Sequence, residues 1–332
     1  MSPNDSRPWH AFDRIRRRLL RGRKQAERTL RSGLRRVNRG WGRISTVAIT
    51  QDDSIDVATA AALRHFDLRR IVEGKRVAIK PNETWVTDHD LTAVTQPDTL
   101  QALVRQLKQA GPREIVVTGG AGQDTEDVLR RSGMMAVIEA EGLSFIDHNK
   151  APFVEVALQH GAVASVMVNP AVLEYDALIA LSQLKVHQSA TVTLALKNVA
   201  MSYPAADYYG HPRQFSADGG HLMDNLHAFI AAMVQAFPID LAVTVGNPAM
   251  VGKGPIGGHA AETGLVIASE DALAADVVGA KLLGFNIEAV RHLQDAAALG
   301  LGEPDLDKLR FPELSLNEAC ARFMERVYGR RD

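Results

Sequence analysis

Lys185, His187, Lys197 and Asn198 fall within one short stretch, Leu178 to Met201, whose other residues are mostly apolar or small. An apolar run, Ala177 to Leu184, leads into Lys185 and His187; Ser189, Thr191 and Thr193 follow, and a second apolar segment carries Lys197 and Asn198. This puts cations and hydrogen-bonding groups where water is scarce, which suits an anionic ligand. A desolvated lysine among cationic neighbours loses proton affinity and becomes a base or a Schiff-base nucleophile. An imidazole titrates near neutral pH and suits general acid–base work. A third lysine, Lys80, ends another β-branched run and is followed by Pro81 and Asn82. The chemistry expected is therefore acid–base catalysis by His187, Lys185 and Lys197 on a carboxylate or phosphate. Lys80 would help neutralise that anion, and Asn82, Asn198 and Thr193 would orient it.

These residues need strands to end where they stand. Thr46–Thr50, Arg76–Lys80, Glu114–Thr118, Leu143–Ile146, Leu241–Val245 and Leu265–Ala268 read as strands. Helical patterns cover Val57–Phe66, Gln96–Leu107, a segment capped by Asp124 or Thr125, Asp271–Leu283 and Ser315–Tyr328. Ala151–Val168 alternates, as a strand or a hairpin turning at Gly161. The alternation of elements predicts an α/β fold, a mainly parallel sheet with helices on both faces. Lys80-Pro81-Asn82 would then lie beyond a strand's carboxyl end, where ligands sit in open α/β sheets. If Lys185 and His187 are extended, they share one face. Thr191–Val199 reads either as a helix, with free amides toward the ligand and Lys197 and Asn198 two turns in, or as a strand, which Thr-Val-Thr favours.

Two glycine-rich turns are candidate cofactor-binding backbone, one at Gly119, Gly120 and Gly122 and the other at Gly252 and Gly254. Neither fits GxGxxG or the Walker pattern. His211 and His221, near Asp207, Asp218 and Asp224, are read as substrate contacts on a lid hinged at Gly210, Gly219 and Gly220, as metal ligands, or as structural groups. Their spacing lacks HExxH, so no metal is assigned. Asp276 is either a buried partner for a lysine or an exposed first-turn acid.

The 332 residues carry 38 Lys/Arg and 39 Asp/Glu, a net charge of -1 that hides an asymmetry. Residues 1–43 hold 14 basic against 3 acidic side chains, 14 - 3 = +11. They are expected to form a basic helical arm ahead of one α/β domain, 44–332. The arm suits an anionic membrane surface or an acidic partner, and no specific nucleic-acid motif accompanies it. The single cysteine, Cys320, excludes an internal disulfide, a CxxC zinc site and an iron–sulfur cluster held by this chain's own thiolates; any other cofactor is left open. No apolar stretch approaches the roughly 20 residues of a membrane span, and no apolar block follows the basic start as a secretory signal requires. A cytoplasmic location is expected, with peripheral membrane attachment through the arm as an option.

Four separated motifs carry a resemblance. They are Lys80-Pro81-Asn82; Lys185-x-His187 with Thr193-x-x-x-Lys197-Asn198; Gly252-x-Gly254-Pro255 with Gly257 and Gly258 close behind; and Glu270-Asp271-Ala272-Leu273-Ala274-Ala275-Asp276. In this order, over about residues 46–302, the chain resembles the DUF362 family of uncharacterised proteins. Members often carry a ferredoxin-like cysteine cluster, which Cys320 alone does not reproduce. The family also tends to have Asp-Gly after the strand that here reads Val243-Thr244-Val245-Gly246, and an acid near Val251. Both acids are missing, so their roles elsewhere are not carried over. The resemblance implies no reaction. The expected function is a metabolic enzyme acting on an anionic small molecule; the alternatives are a carrier for such a ligand and a scaffold using the basic arm.

Overall fold

β-branched runs become strands here because both faces of the sheet are covered and apolar side chains find partners on either side. The structure is a computed structural model and describes residues 44–161, 163–211, 213 and 225–329. The basic arm, 1–43, lies outside the described residues, as do His221, Asp218, Asp224, Gly219 and Gly220. The strands are β1 (Ser45–Thr46), β2 (Ala48–Gln51), β3 (Arg76–Pro81), β4 (Glu114–Gly119), β5 (Ser144–Asp147), β6 (Val154–Ala157), β7 (Ser165–Val168), β8 (Ala177–His187), β9 (Thr191–Thr193), β10 (Leu241–Val251), β11 (His259–Ala261), β12 (Leu265–Ser269) and β13 (Leu309–Arg310).

The central sheet runs β2-β12-β10-β8-β3-β4-β5, with β11 on β10 and β9 on β8. From β10 to β5 every pairing is parallel. The β10–β12, β12–β2, β10–β11 and β8–β9 pairings are antiparallel. The sheet is thus mixed, with a parallel centre and an antiparallel edge, a refinement of the mainly parallel expectation. The physical reason is in the connections: short links such as that between β8 and β9 can only reverse the chain, whereas parallel neighbours need a crossover. β6 and β7 form a separate antiparallel hairpin.

Side-chain parity divides the core. Leu178, Ala180 and Leu184 of β8 face one hydrophobic cluster, whereas Ala177, Ile179 and Leu181 face the other. The second cluster is filled by the helices Ile55–Leu63, Pro97–Gln109, Thr125–Arg131 and Met134–Ala140. The first is filled by Ala195–Ser202, Leu226–Ala236, Ala272–Leu282 and Arg291–Ala298. The chain therefore winds β3-β4-β5 with its helices on one face. It then returns to the other side of β3 and winds β8-β10 with helices on the opposite face. The order reverses between β3 and β8, a topological switch point, where a crevice opens beyond the carboxyl ends of the strands.

β8 deepens this crevice. Pro81, the last residue of β3, pairs with Leu181, yet β8 continues to His187. The overhang is braced by β9 through Lys185–Thr193 and His187–Thr191 pairings.

Candidate functional site

A cavity of about 180 Å³ lies at this switch point. Of the residues expected from sequence, Lys80, Asn82, Gly120, Gly122, His187, Thr193, Lys197 and Asn198 line it. Lys80 projects from β3 on the side of Ala78, toward the Ala195–Ser202 helix. Its Nζ donates to the Pro81 carbonyl, to the Glu83 carboxylate and, at 3.1 Å, to Asn198 Oδ1. Three acceptors require three N–H bonds, so Lys80 is an ammonium, although burial lowers its proton affinity against the pull of Glu83. Asn198 is locked in turn, its Nδ2 donating to the Lys80 carbonyl at 3.1 Å and to Ser182 Oγ at 3.3 Å.

Lys185 is fully buried and does not line the cavity. Its Nζ donates to Asn82 Oδ1 at 2.8 Å and to the Ala93 carbonyl at 2.6 Å. Two acceptors suit a neutral amine as well as an ammonium. Burial, aided by the Lys197 ammonium, brings its pKa down to about 7. Lys197 differs from both. It is 7% exposed, and among the described residues its Nζ has no hydrogen-bond or ion-pair partner. Burial and the neighbouring Lys80 lower its pKa to about 8. Thr193 Oγ1 is likewise buried and unpartnered on the same cavity wall.

His187 Nδ1 accepts the backbone N–H groups of Ser189 (3.1 Å) and Ala190 (3.3 Å). Burial first, then the Lys197 and Lys185 ammoniums, push its pKa down to about 2. The expectation of an imidazole titrating near neutrality therefore gives way to a neutral ring with its proton on Nε2, a hydrogen-bond donor.

The segment after β8 resolves the helix-or-strand ambiguity into both. Thr191–Thr193 pairs as β9, and the helix starts at Ala195. Lys197 and Asn198 accordingly sit in its first turn rather than two turns in. The first amides of the helix do not face a ligand. Asp276, fully buried on the Ala272–Leu282 helix, accepts Ala195 N–H at 2.8 Å and Leu196 N–H at 2.9 Å. Burial lifts its pKa to about 7 despite those two donors. Asp276 is thus a buried acid, and its hydrogen bonds are to backbone rather than to a lysine. Asp276→Ala strands two buried amides, each costing about 1–3 kcal/mol, so a loss of about 2–6 kcal/mol in urea denaturation is expected.

The glycine turn after β4 is closed on the protein itself. Gly120 N–H donates to Glu83 Oε1 at 2.9 Å, Ala121 N–H to Thr125 Oγ1 at 3.2 Å, and Gly122 N–H to the Thr84 carbonyl at 3.0 Å. Gly119 lies against Thr125 and Glu83, off the cavity. A Cβ at Gly120 would collide with the Ser202 carbonyl, so glycine there is required by close backbone packing. Gly252 and Gly254 do not line the cavity either. A Cβ at Gly254 would strike the Val186 carbonyl, and the Gly254 carbonyl accepts Gln188 N–H at 3.1 Å, so this turn buttresses the β8 overhang. His211 is paired with Asp207 Oδ1 at 2.9 Å, away from the cavity lining. Among the described residues no group of three or more His, Cys, Asp or Glu side chains is placed to hold a metal.

Two site residues were not anticipated. Glu83 is buried and joins Lys80, Gly120 and, through Ser202 Oγ at 3.4 Å, the end of the Lys197 helix. Its position three residues after Lys80 was a readable signal. Arg213 is also buried, donating to the Gly120 carbonyl at 2.8 Å, to Asn149 Oδ1 at 2.6 Å and to the Pro204 carbonyl. It stands in a loop with no periodicity to announce it. Around the cavity, among the described residues, Lys80, Lys197 and Arg213 face a single carboxylate, Glu83.

Strand order, the change of helix face and a cation-lined crevice at the switch point define an open, doubly wound α/β protein with a cavity at that point. The chain belongs to the family described as Domain of unknown function (DUF362), whose model matches residues 77–281, more than half of its length. It is similar to the thylakoid-associated protein sll1697 of Synechocystis sp., with 23% identity over 239 residues, 72% of each chain.

Proposed function

We propose that the cavity binds a small carboxylate or phosphate and that the protein is an enzyme performing acid–base chemistry on it. The observation that carries this reading is Thr193 Oγ1, buried and unpartnered, on the same cavity as Lys197, which is 7% exposed and whose Nζ has no partner among the described residues. Buried donors without acceptors are costly, and a ligand oxygen removes that cost. His187 Nε2 adds a third donor from the overhang. The donors of Lys80 and Arg213 are already engaged, so these cations supply field rather than contact. Lys197, with a pKa of about 8, is an ammonium at neutral pH that gives up its proton readily, and is the acid in this reading. Lys185, a layer behind, adjusts that balance with a pKa of about 7.

The test is thermal unfolding with acetate, succinate or inorganic phosphate, and with uncharged acetamide as control. Anions are expected to raise the unfolding temperature, and acetamide not to. Binding needs the Lys197 ammonium, so affinity falls as pH rises through about 8, by about tenfold per pH unit while the bound form holds the proton. Equal stabilisation by acetamide, or a response flat across this range, would sink the reading. Turnover is then sought by NMR exchange of substrate protons in D2O, and its absence with intact binding would leave a carrier instead.

A second element is favoured by the relative's name, thylakoid-associated, and by the arm's excess of 14 - 3 = +11 charges. Among the described residues no helix is long and apolar enough to cross a membrane. The arm would hold the protein on an anionic lipid surface. Co-sedimentation with phosphatidylglycerol vesicles should be lost on deleting residues 1–43 and weaken strongly with salt; binding that survives the deletion overturns it.

A further inference from the structure

We infer that Lys197 forms an imine with the carbonyl group of a small oxo acid. This rests on the anion-site reading and narrows the substrate class. The three lysines are built differently. Lys80 is held by Glu83, Pro81 and Asn198, and Lys185 by Asn82 and Ala93, so both nitrogens are committed to neighbours. Lys197 lines the cavity with no carboxylate paired to its Nζ among the described residues, and the Lys80 ammonium works against its charge. A lysine meant only to attract an anion gains from a partner that holds it charged. One meant to attack carbon gains from an empty coordination sphere and a cationic neighbour. Thr193 Oγ1, unpartnered on the same wall, is free to bond the carbonyl or carboxylate oxygen. The space, about 180 Å³, is close to the roughly 150 Å³ that accommodates benzene, so a molecule of about six to nine non-hydrogen atoms fits.

In the step itself the neutral Nζ attacks the carbonyl carbon. The new C–N bond forms as the π pair moves to oxygen, and a proton passes from nitrogen to that oxygen. The hydroxyl then leaves as water, using the second proton released from nitrogen, and C=N forms. Amine and carbonyl give imine and one water, with no change of oxidation state.

The test uses the full chain with pyruvate or glyoxylate, sodium borohydride to reduce the imine, and peptide mass spectrometry to place the adduct. Acetone serves as the uncharged carbonyl, and Lys197→Arg keeps a cation while removing the nucleophile. Its thermal unfolding curve reports whether it is folded, and Lys197→Met is the second variant should it not be. Pyruvate or glyoxylate is expected to give about one adduct per chain on Lys197, with acetone and the folded variant giving less than about a tenth of that. Acetate and phosphate binding without any adduct would overturn the imine and leave the anion site standing. No anion binding and no adduct would overturn both. Adducts spread over exposed lysines, and equal in Lys197→Arg, would also overturn it.

Discussion

Lys197→Met is expected to unfold at a higher temperature than the parent chain at pH 7 and to lose the response to added anions. Ordinary lysines in binding sites do not behave this way. The result is expected because this ammonium is buried without a partner among the described residues, so its charged form costs more than the contacts it makes. Methionine keeps the length of the side chain and removes the charge. The lowering from 10.5 to about 8 puts the gain at about 1–3 kcal/mol. The pH dependence has a definite sign. A lysine whose folded pKa lies below its unfolded value binds a proton in the unfolded chain over that interval but not in the folded one. Lys197 and Lys185 therefore make the parent chain more stable as pH rises from about 7 toward about 10. In Lys197→Met that slope is shallower. Urea denaturation at intervals across this range measures both effects. A destabilised variant, or one that keeps its response to succinate, would refute the assignment.

Glu83→Ala is expected to act in the opposite direction and more strongly. It leaves the Lys80 ammonium buried with only the Pro81 carbonyl and Asn198 Oδ1, and it strands the Gly120 amide. Removing one partner of a buried ion pair costs about 3–5 kcal/mol. The double replacement Lys80→Met with Glu83→Gln should recover much of that loss, because no unpaired charge remains and the glutamine oxygen still accepts from Gly120. A coupling of about 1–3 kcal/mol is expected in the double-mutant cycle of Lys80→Met and Glu83→Gln, with each also made singly. Additive effects would mean that Lys80 and Glu83 do not act as a pair.

Much of the fold was legible because strand and helix periodicities are local. Arg76–Lys80, Glu114–Thr118 and Leu241–Val245 lie within strands of the parallel centre, and Lys80 and Asn82 lie at the end of β3 as the Lys-Pro-Asn break implies. The antiparallel edge was not legible, since which strands become neighbours depends on contacts far apart in the chain. The same limit applies at the site. Thr191–Val199 carries strand and helix signals in succession, and its division at Leu194 is set by β8 pairing on one side and by Asp276 on the other. The glycines at 120 and 254 read from sequence as candidate cofactor-binding backbone, and what approaches them in the fold is the protein's own backbone. The free imidazole pKa was a poor guide to His187 because burial, and after it the neighbouring Lys197 and Lys185, act on the ring only in the folded protein.

The carboxyl group that seats the Lys197 helix is supplied about eighty residues later in synthesis, across sequence separations of 81 and 80. A nascent chain cannot cap this helix with Asp276 until residue 276 has left the ribosome. Incomplete translation products would hold a helix with bare leading amides and a misplaced amine. Assembly order thereby delays the seating of the Lys197 helix until most of the chain has been made.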